Sequence, residues 1–136
     1  ESPEAIPAAE LDKKYKEFVN ISMTRTVFMQ NGVPFIYSAE GETYRSIAEA
    51  NRLFLGELLG FNDLKSDTPL ETGTVVYLSR KKSVAAPGVN KYVTGADGET
   101  LYGISQRFGI RLACLQKLNI ILLGKELKAG DTVRLR

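Results

Sequence analysis

Apolar and polar positions along this chain change period several times, and each change marks an element. Leu11, Tyr15, Phe18 and Val19 recur at helical spacing within Ala8–Val19, which predicts one short amphipathic helix after a polar, proline-containing start. The stretch "RTVFMQNGVPFIYSA" then sets two β-prone runs on either side of Asn31-Gly32, the preferred pair for a two-residue type I′ hairpin turn. A strand over Thr26–Gln30 is therefore expected ahead of a second one. Pro34 must sit where no ladder donor is needed, either facing away from the partner or at an edge.

From here the order strand, glycine turn, helix, helix, strand is written twice. Glu40 opens "EGETYRSIAEANRLFLGELLGFNDL" and Asp97 opens "DGETLYGISQRFGIRLACLQKLNII", an offset of 97 − 40 = 57 residues. Register holds without a gap through Gly41/Gly98, Thr43/Thr100, Ile47/Ile104, Leu58/Leu115, Asn62/Asn119, Gly73/Gly130 and Leu78/Leu135. Self-similarity at a fixed period marks a repeated supersecondary unit. In each copy a strand, Phe35–Ala39 or Tyr92–Ala96, enters a glycine turn, and Thr43 or Thr100 follows as helix N-cap. Tyr44, Ile47 and Ala48, matched by Leu101, Ile104 and Ser105, form the inward stripe of the first helix; Leu55, Leu58 and Leu59, matched by Leu112, Leu115 and Gln116, form that of the second. Helices this short hold only by packing on the sheet. Gly109 fits a helix C-terminus, whereas Arg52 fills the same place in the first copy and weakens that end. Neither second helix starts with a Ser, Thr or Asp cap. Asn62 and Asn119 read as buried amides that pair with backbone.

Between the copies, "RKKSVAAPGVN" has linker composition, and the charges of Arg80-Lys81-Lys82 read as solvated. The expected organisation is an extension with the short helix at 1–24, a first unit with its extra strand at 25–80, a linker at 81–90 and a second unit at 91–136. The fold class is α+β: two βααβ units in tandem, preceded by a short helix and a hairpin strand.

Composition narrows the chemistry. The chain of 136 residues is 43% hydrophobic and 25% charged, a globular profile, and each unit of roughly 45–50 residues is near the lower limit for independent folding. A net charge of +2 with interspersed signs argues against nucleic acid as a partner. No apolar run is long enough to span a membrane. The chain lacks an initiator Met and reads as a mature fragment or a piece of something longer. The single cysteine, Cys114, forbids an intrachain disulfide and sits in an apolar stripe as core filler. Histidine is absent, so Cys114 lacks the usual base of a thiol nucleophile, and no cofactor or metal is expected. The acid pairs Glu40/Glu42 and Asp97/Glu99 resemble a glycosidase pair only superficially; beside a cap they read as acids favoured by the helix dipole.

The repeated phrase resembles the lysin motif (LysM). The second copy matches closely, "KYVTGADGETLYGISQRFGIRLACLQKLN…LKAGDTVRLR", and the first more loosely, "FIYSAEGETYRSIAEANRLFLGELLGFND…LETGTVVYL"; together they cover Pro34 to Arg136. The resemblance implies a non-catalytic module for N-acetylglucosamine polymers, peptidoglycan or a chitin-like oligosaccharide, with the ligand between the first turn and the loop after the second helix. By position that groove would be Gly41, Glu42, Thr43 and Tyr44 facing Asp63, Leu64, Lys65 and Ser66 in the first copy. In the second it would be Gly98, Glu99, Thr100 and Leu101 facing Ile120, Ile121, Leu122 and Leu123. The preceding hairpin and helix resemble the tail of cell-wall glucosaminidases, which implies an upstream catalytic domain and a bacterial envelope setting, periplasmic or secreted. The aliphatic run in "NIILLGKEL" leaves a second function open, a structural or protein-interaction module of the bacterial envelope that uses this loop.

Overall fold

Asn31 and Gly32 both take the left-handed conformation, with φ of 55° and 75°, and close the two-residue hairpin that their identities predict. They join β1 (Phe28–Gln30) to β2 (Val33–Tyr37), in register Gln30 opposite Val33 and Phe28 opposite Phe35. The computed structural model describes residues 25–136; the expected helix over Ala8–Val19 lies outside the described residues. Two units meet at the Arg80–Lys81 bond.

In the first unit, β2 leads through a glycine turn into α1 (Tyr44–Ala50), α2 (Leu55–Phe61) and β3 (Val75–Tyr77). The three strands form an antiparallel sheet in the order β1-β2-β3, so Pro34 lies in the central strand. It fits there because it needs only to accept: Leu78 N–H donates to its carbonyl at 2.9 Å, and Pro34 sits opposite Met29 on the other side. The second unit repeats the plan without the extra strand, as β4 (Lys91–Val93), α3 (Leu101–Phe108), α4 (Leu112–Leu118), a 3-10 turn (Ile120–Leu122) and β5 (Thr132–Arg134). Its two strands pair antiparallel, Tyr92 opposite Val133. This is the α+β tandem of βααβ units that the sequence implies.

Helical periodicity places the core as expected. Ile36, Tyr44, Ile47, Ala48, Leu58 and Val76 pack together in the first unit, and Ile104, Leu115, Leu127, Val133 and Leu135 in the second. Cys114 packs half-buried against the latter. Val33, Phe35 and Tyr77 form a separate apolar cluster, because alternation along β2 sends Val33 and Phe35 to the other face from Ile36, and Tyr77 of β3 lies opposite Phe35.

Asn62 ties α2 to β3. Its Nδ2 donates to the carbonyls of Leu58 (2.8 Å) and Tyr77 (3.0 Å), and its Oδ1 accepts from Tyr77 N–H (2.7 Å). Asn119 repeats the clasp on Leu115 (2.8 Å) and on both backbone groups of Arg134 (2.8 and 2.7 Å). One carboxamide thus satisfies a helix-end carbonyl and both groups of a strand residue.

Helix ends follow local chemistry. Thr43 Oγ1 accepts from Ser46 N–H (3.0 Å) while Ser46 Oγ accepts from Thr43 N–H (2.9 Å), a reciprocal cap. Thr100 Oγ1 caps Gly103 N–H (3.0 Å). Gly109 ends α3 in the left-handed region (φ 70°), and Arg52 adopts nearly the same conformation (φ 57°) without glycine's freedom. The uncapped second helices find substitutes: Phe54 N–H donates to the Glu57 carboxylate (2.9 Å), and Arg111 N–H donates to the Lys82 carbonyl (2.8 Å).

That last bond involves the segment after Arg80, where Lys81 departs from the solvation expected of Arg80-Lys81-Lys82 while Arg80 and Lys82 are exposed. Lys82 forms a parallel bridge with Ile110, its own N–H donating to Gly109 (3.0 Å), because the chain between α3 and α4 leaves backbone groups that need partners. Lys81 is only 2% exposed, its ammonium donating to Gln106 Oε1 (2.6 Å) and Ser105 Oγ (3.4 Å), and Ala85 is 4% exposed. The segment from Ala86 to Asn90 is exposed, as its composition suggests.

Replacing Asn62 or Asn119 by alanine leaves buried backbone groups without partners. Each change is expected to destabilise its own unit by about 2–3 kcal/mol, measured by urea denaturation of the full chain. A loss of a few tenths would mean that the clasp is replaceable.

Candidate functional site

The turn after β4 is held by one carboxylate. Glu99 Oε2 accepts from the N–H groups of Gly95 (2.7 Å) and Ala96 (3.2 Å), and Oε1 accepts from the Tyr92 hydroxyl (2.7 Å). Arg107 completes the network, its Nη1 donating to the Tyr92 oxygen (3.1 Å) with the guanidinium 5.0 Å from the Tyr92 ring centroid. The Tyr92 hydrogen bond, foremost, holds the Glu99 carboxyl below the usual range, helped by the two amides and Arg107; the same bond pushes the Tyr92 phenol up.

Two further bonds lock this turn to the loop before β5. Asp97 Oδ1 accepts from Ala129 N–H (2.9 Å), and Gly98 N–H donates to the Leu127 carbonyl (2.9 Å). Gly98 is left-handed at φ 85°, as is Gly124 across from it at φ 77°. An open groove of about 330 Å³ lies between, lined by residues 98–102 from the turn and α3, Leu112 and Gln116 from α4, and residues 122–127 from the returning loop. Its lining is chiefly aliphatic, with Thr100, Gln116 and Lys125 as polar points.

Of the positions expected to form this groove, Gly98, Glu99, Thr100, Leu101, Leu122 and Leu123 line it. Ile120 and Ile121 do not: they are 68% and 79% exposed, because three residues per turn in the 3-10 segment send only Leu122 against the core. Leu112 and Gln116, expected only as part of an inward stripe, and Gly124–Leu127 join the lining. The spacing of Leu112 and Gln116, four apart on one helix face, is the signal that carries them.

In the first unit, Glu42 does the work of Glu99 with a different outer anchor. Its Oε1 accepts from Ala39 N–H (2.6 Å) and pairs with the Arg25 guanidinium. Gly41 is left-handed (φ 82°), and the Thr43 amide is taken up by Ser46. Tyr44 is 5% exposed, its phenol pushed up by burial and, secondarily, by the negative charge of Asp67. Across the turn, Asp63 takes a left-handed φ of 55°, Leu64 packs half-buried on the core, and Lys65 and Ser66 are exposed. Glu42 and Glu99 stand directly before the N-caps Thr43 and Thr100, and their carboxylates also take up amides of the preceding turn.

A glycine turn facing a return loop across a shallow, mostly apolar groove in the second unit, on a βααβ scaffold that the chain repeats, has the geometry of a small binding module. The family model of the LysM domain matches residues 39–79 and 96–136, more than half of the chain, and the chain belongs to the LysM family. LysM domains are binding modules without catalytic activity; they bind N-acetylglucosamine-containing glycans such as peptidoglycan and occur in extracellular or cell-wall proteins. No curated protein matches the chain. Among solved structures it is similar to the spore cortex-lytic enzyme SleL of Bacillus megaterium QM B1551, with 19% identity and a TM-score of 0.30, over 74% of this chain and 21% of that one. The chain therefore spans about a fifth of that enzyme. Among the described residues no helix is long and apolar enough to cross a membrane.

Because the folded-state pKa of Glu99 lies below its unfolded value, its contribution to stability is full above the ordinary carboxylate range and is lost as pH falls through the lowered value. Tyr92→Phe removes the largest cause. The Glu99 carboxyl is expected to move up toward the ordinary range, followed by carbon NMR of the side chain; an unchanged titration would assign the shift to the two amides and Arg107.

Proposed function

We propose that this chain binds N-acetylglucosamine-containing glycan, bacterial peptidoglycan in the first instance, and tethers an attached cell-wall hydrolase or envelope protein to it. The observation that supports this reading is the groove of the second unit, where leucines face a turn whose main chain approaches closely. Leu101, Leu122 and Leu123 suit the acetamido methyl and the faces of the sugar rings. Backbone and Thr100 or Gln116 suit the acetamido carbonyl and N–H, one acceptor and one donor per sugar. Two weak sites on one chain raise retention on a polymer through effective concentration, with no new contact. A bacterial envelope setting, periplasmic or secreted, and a catalytic domain upstream of Glu1 belong to the same proposal.

A second reading, an apolar contact for another envelope protein, draws on the exposure of Ile120 and Ile121 outside the groove. Cosedimentation of the full chain with insoluble peptidoglycan, with soluble chito-oligosaccharide as competitor, separates the two. Leu123→Asp is expected to weaken retention about tenfold, or ~1.4 kcal/mol. Ile121→Asp is expected to leave it unchanged. The reverse pattern would refute the groove and favour the exposed turn.

A further inference from the structure

The charge of the chain is divided unevenly between its units. Residues 81–136 hold ten of the 18 Lys and Arg but four of the 16 Asp and Glu, a net charge of +6. Residues 25–80 hold five and seven, a net charge of −2. The overall +2 conceals this contrast.

All four carboxylates of the second unit have partners at the glycine turn or the return loop. Glu99 takes the amides of Gly95 and Ala96, and Asp97 takes Ala129 N–H. Asp131 accepts from Lys128 N–H (2.8 Å), and Glu126 pairs with Lys128 Nζ (3.2 Å). Among the described residues, none of them pairs with a cation on the outer face of the β4-β5 sheet. On that face Lys91 stands directly opposite Arg134, and both are exposed. Two places on, Arg136 is exposed as well, and its main-chain oxygen accepts from Arg134 Nε (2.9 Å). The first unit is different at the same places. One step from its inward pair Ile36 and Val76 stand Phe35 and Tyr77, whereas one step from Tyr92 and Val133 stand the two cations.

Like charges directly opposite on a sheet destabilise it, and a neutral residue at either place would remove the cost. A pair borne at that cost, with no carboxylate of its own unit to offset it, is suited to an anion from outside. We propose that Lys91 and Arg134 form an anion-binding face for the carboxylates of peptidoglycan, which its stem peptides carry and neutral chitin lacks. The groove then takes the sugar and the sheet face takes the acid, so the second unit prefers the anionic polymer. Exposed ion pairs are individually weak and screened by salt, so the face adds selectivity more than affinity. This rests on the glycan-binding reading above.

The test is retention of the full chain on chitin and on purified peptidoglycan freed of phosphate-bearing wall polymers, at low and high salt. In the double variant Lys91→Gln, Arg134→Gln the Kd for peptidoglycan at low salt is expected to rise roughly three- to tenfold. The Kd for chitin should stay put, and Tm should hold or increase. Amidation of the peptidoglycan carboxyls should cost the wild type the same factor and the double variant nothing further. An equal loss on chitin, or a lowered Tm, overturns the inference, because the pair would then serve the fold. So does duplex DNA bound as tightly as peptidoglycan, which would make the face a general polyanion site. An unchanged Kd for peptidoglycan, or a loss seen only before the phosphate polymers are removed, overturns it too and leaves the glycan reading standing. Absence of wild-type retention on either polymer overturns both.

Discussion

One carboxamide per unit makes the βααβ plan workable. The two strands of each motif lie at opposite ends of the sequence unit and gain their hydrogen bonds only once both helices are in place. Asn62 and Asn119 solve this by reaching from the end of the second helix into the closing strand, so that the helix end and the strand residue are satisfied together. Such a link makes helix and strand cooperative, which matters where the core is small and its burial marginal. The position of the groove follows from it, since the return loop that forms one wall runs from that asparagine to that strand.

The second requirement is a rigid first wall, and both units meet it with the same glutamate and different anchors. Glu99 leans on Tyr92 and Arg107, both inside its own unit. Glu42 leans on Arg25, which lies outside the matched motif of residues 39–79. The copies therefore agree on what must be held, the amides before the glycine, and differ in what holds it.

Much of this was legible in the chain because it depends on neighbours in sequence. The offset repeat, the Asn-Gly hairpin, the threonine caps, Gly109 and the inward stripes each follow from local conformational preference and periodicity. The asparagines were legible in type, as buried amides, but not in partner. What escaped were arrangements set by distant segments. Lys81 reads as solvated because charges usually are, yet it folds onto α3 through Ser105 and Gln106, more than twenty positions away. The acids of the glycine turn read as helix-dipole partners because a helix follows; that Glu42 and Glu99 also hold the preceding amides, and that Asp97 reaches Ala129, was not legible. Four aliphatics in a row read as one surface, and the 3-10 turn divides them, with Leu122 inward and Ile120 and Ile121 outward.

Ser46 and Gly103 hold the same place in the two copies. In the first copy the serine hydroxyl accepts from the Thr43 main chain and completes a reciprocal cap. Gly103 has no side chain with which to do this, and a Cβ added there would already stand 3.3 Å from Thr100 Oγ1. The first copy thus closes the start of its helix with two side chains, and the second leaves that end to Thr100 alone.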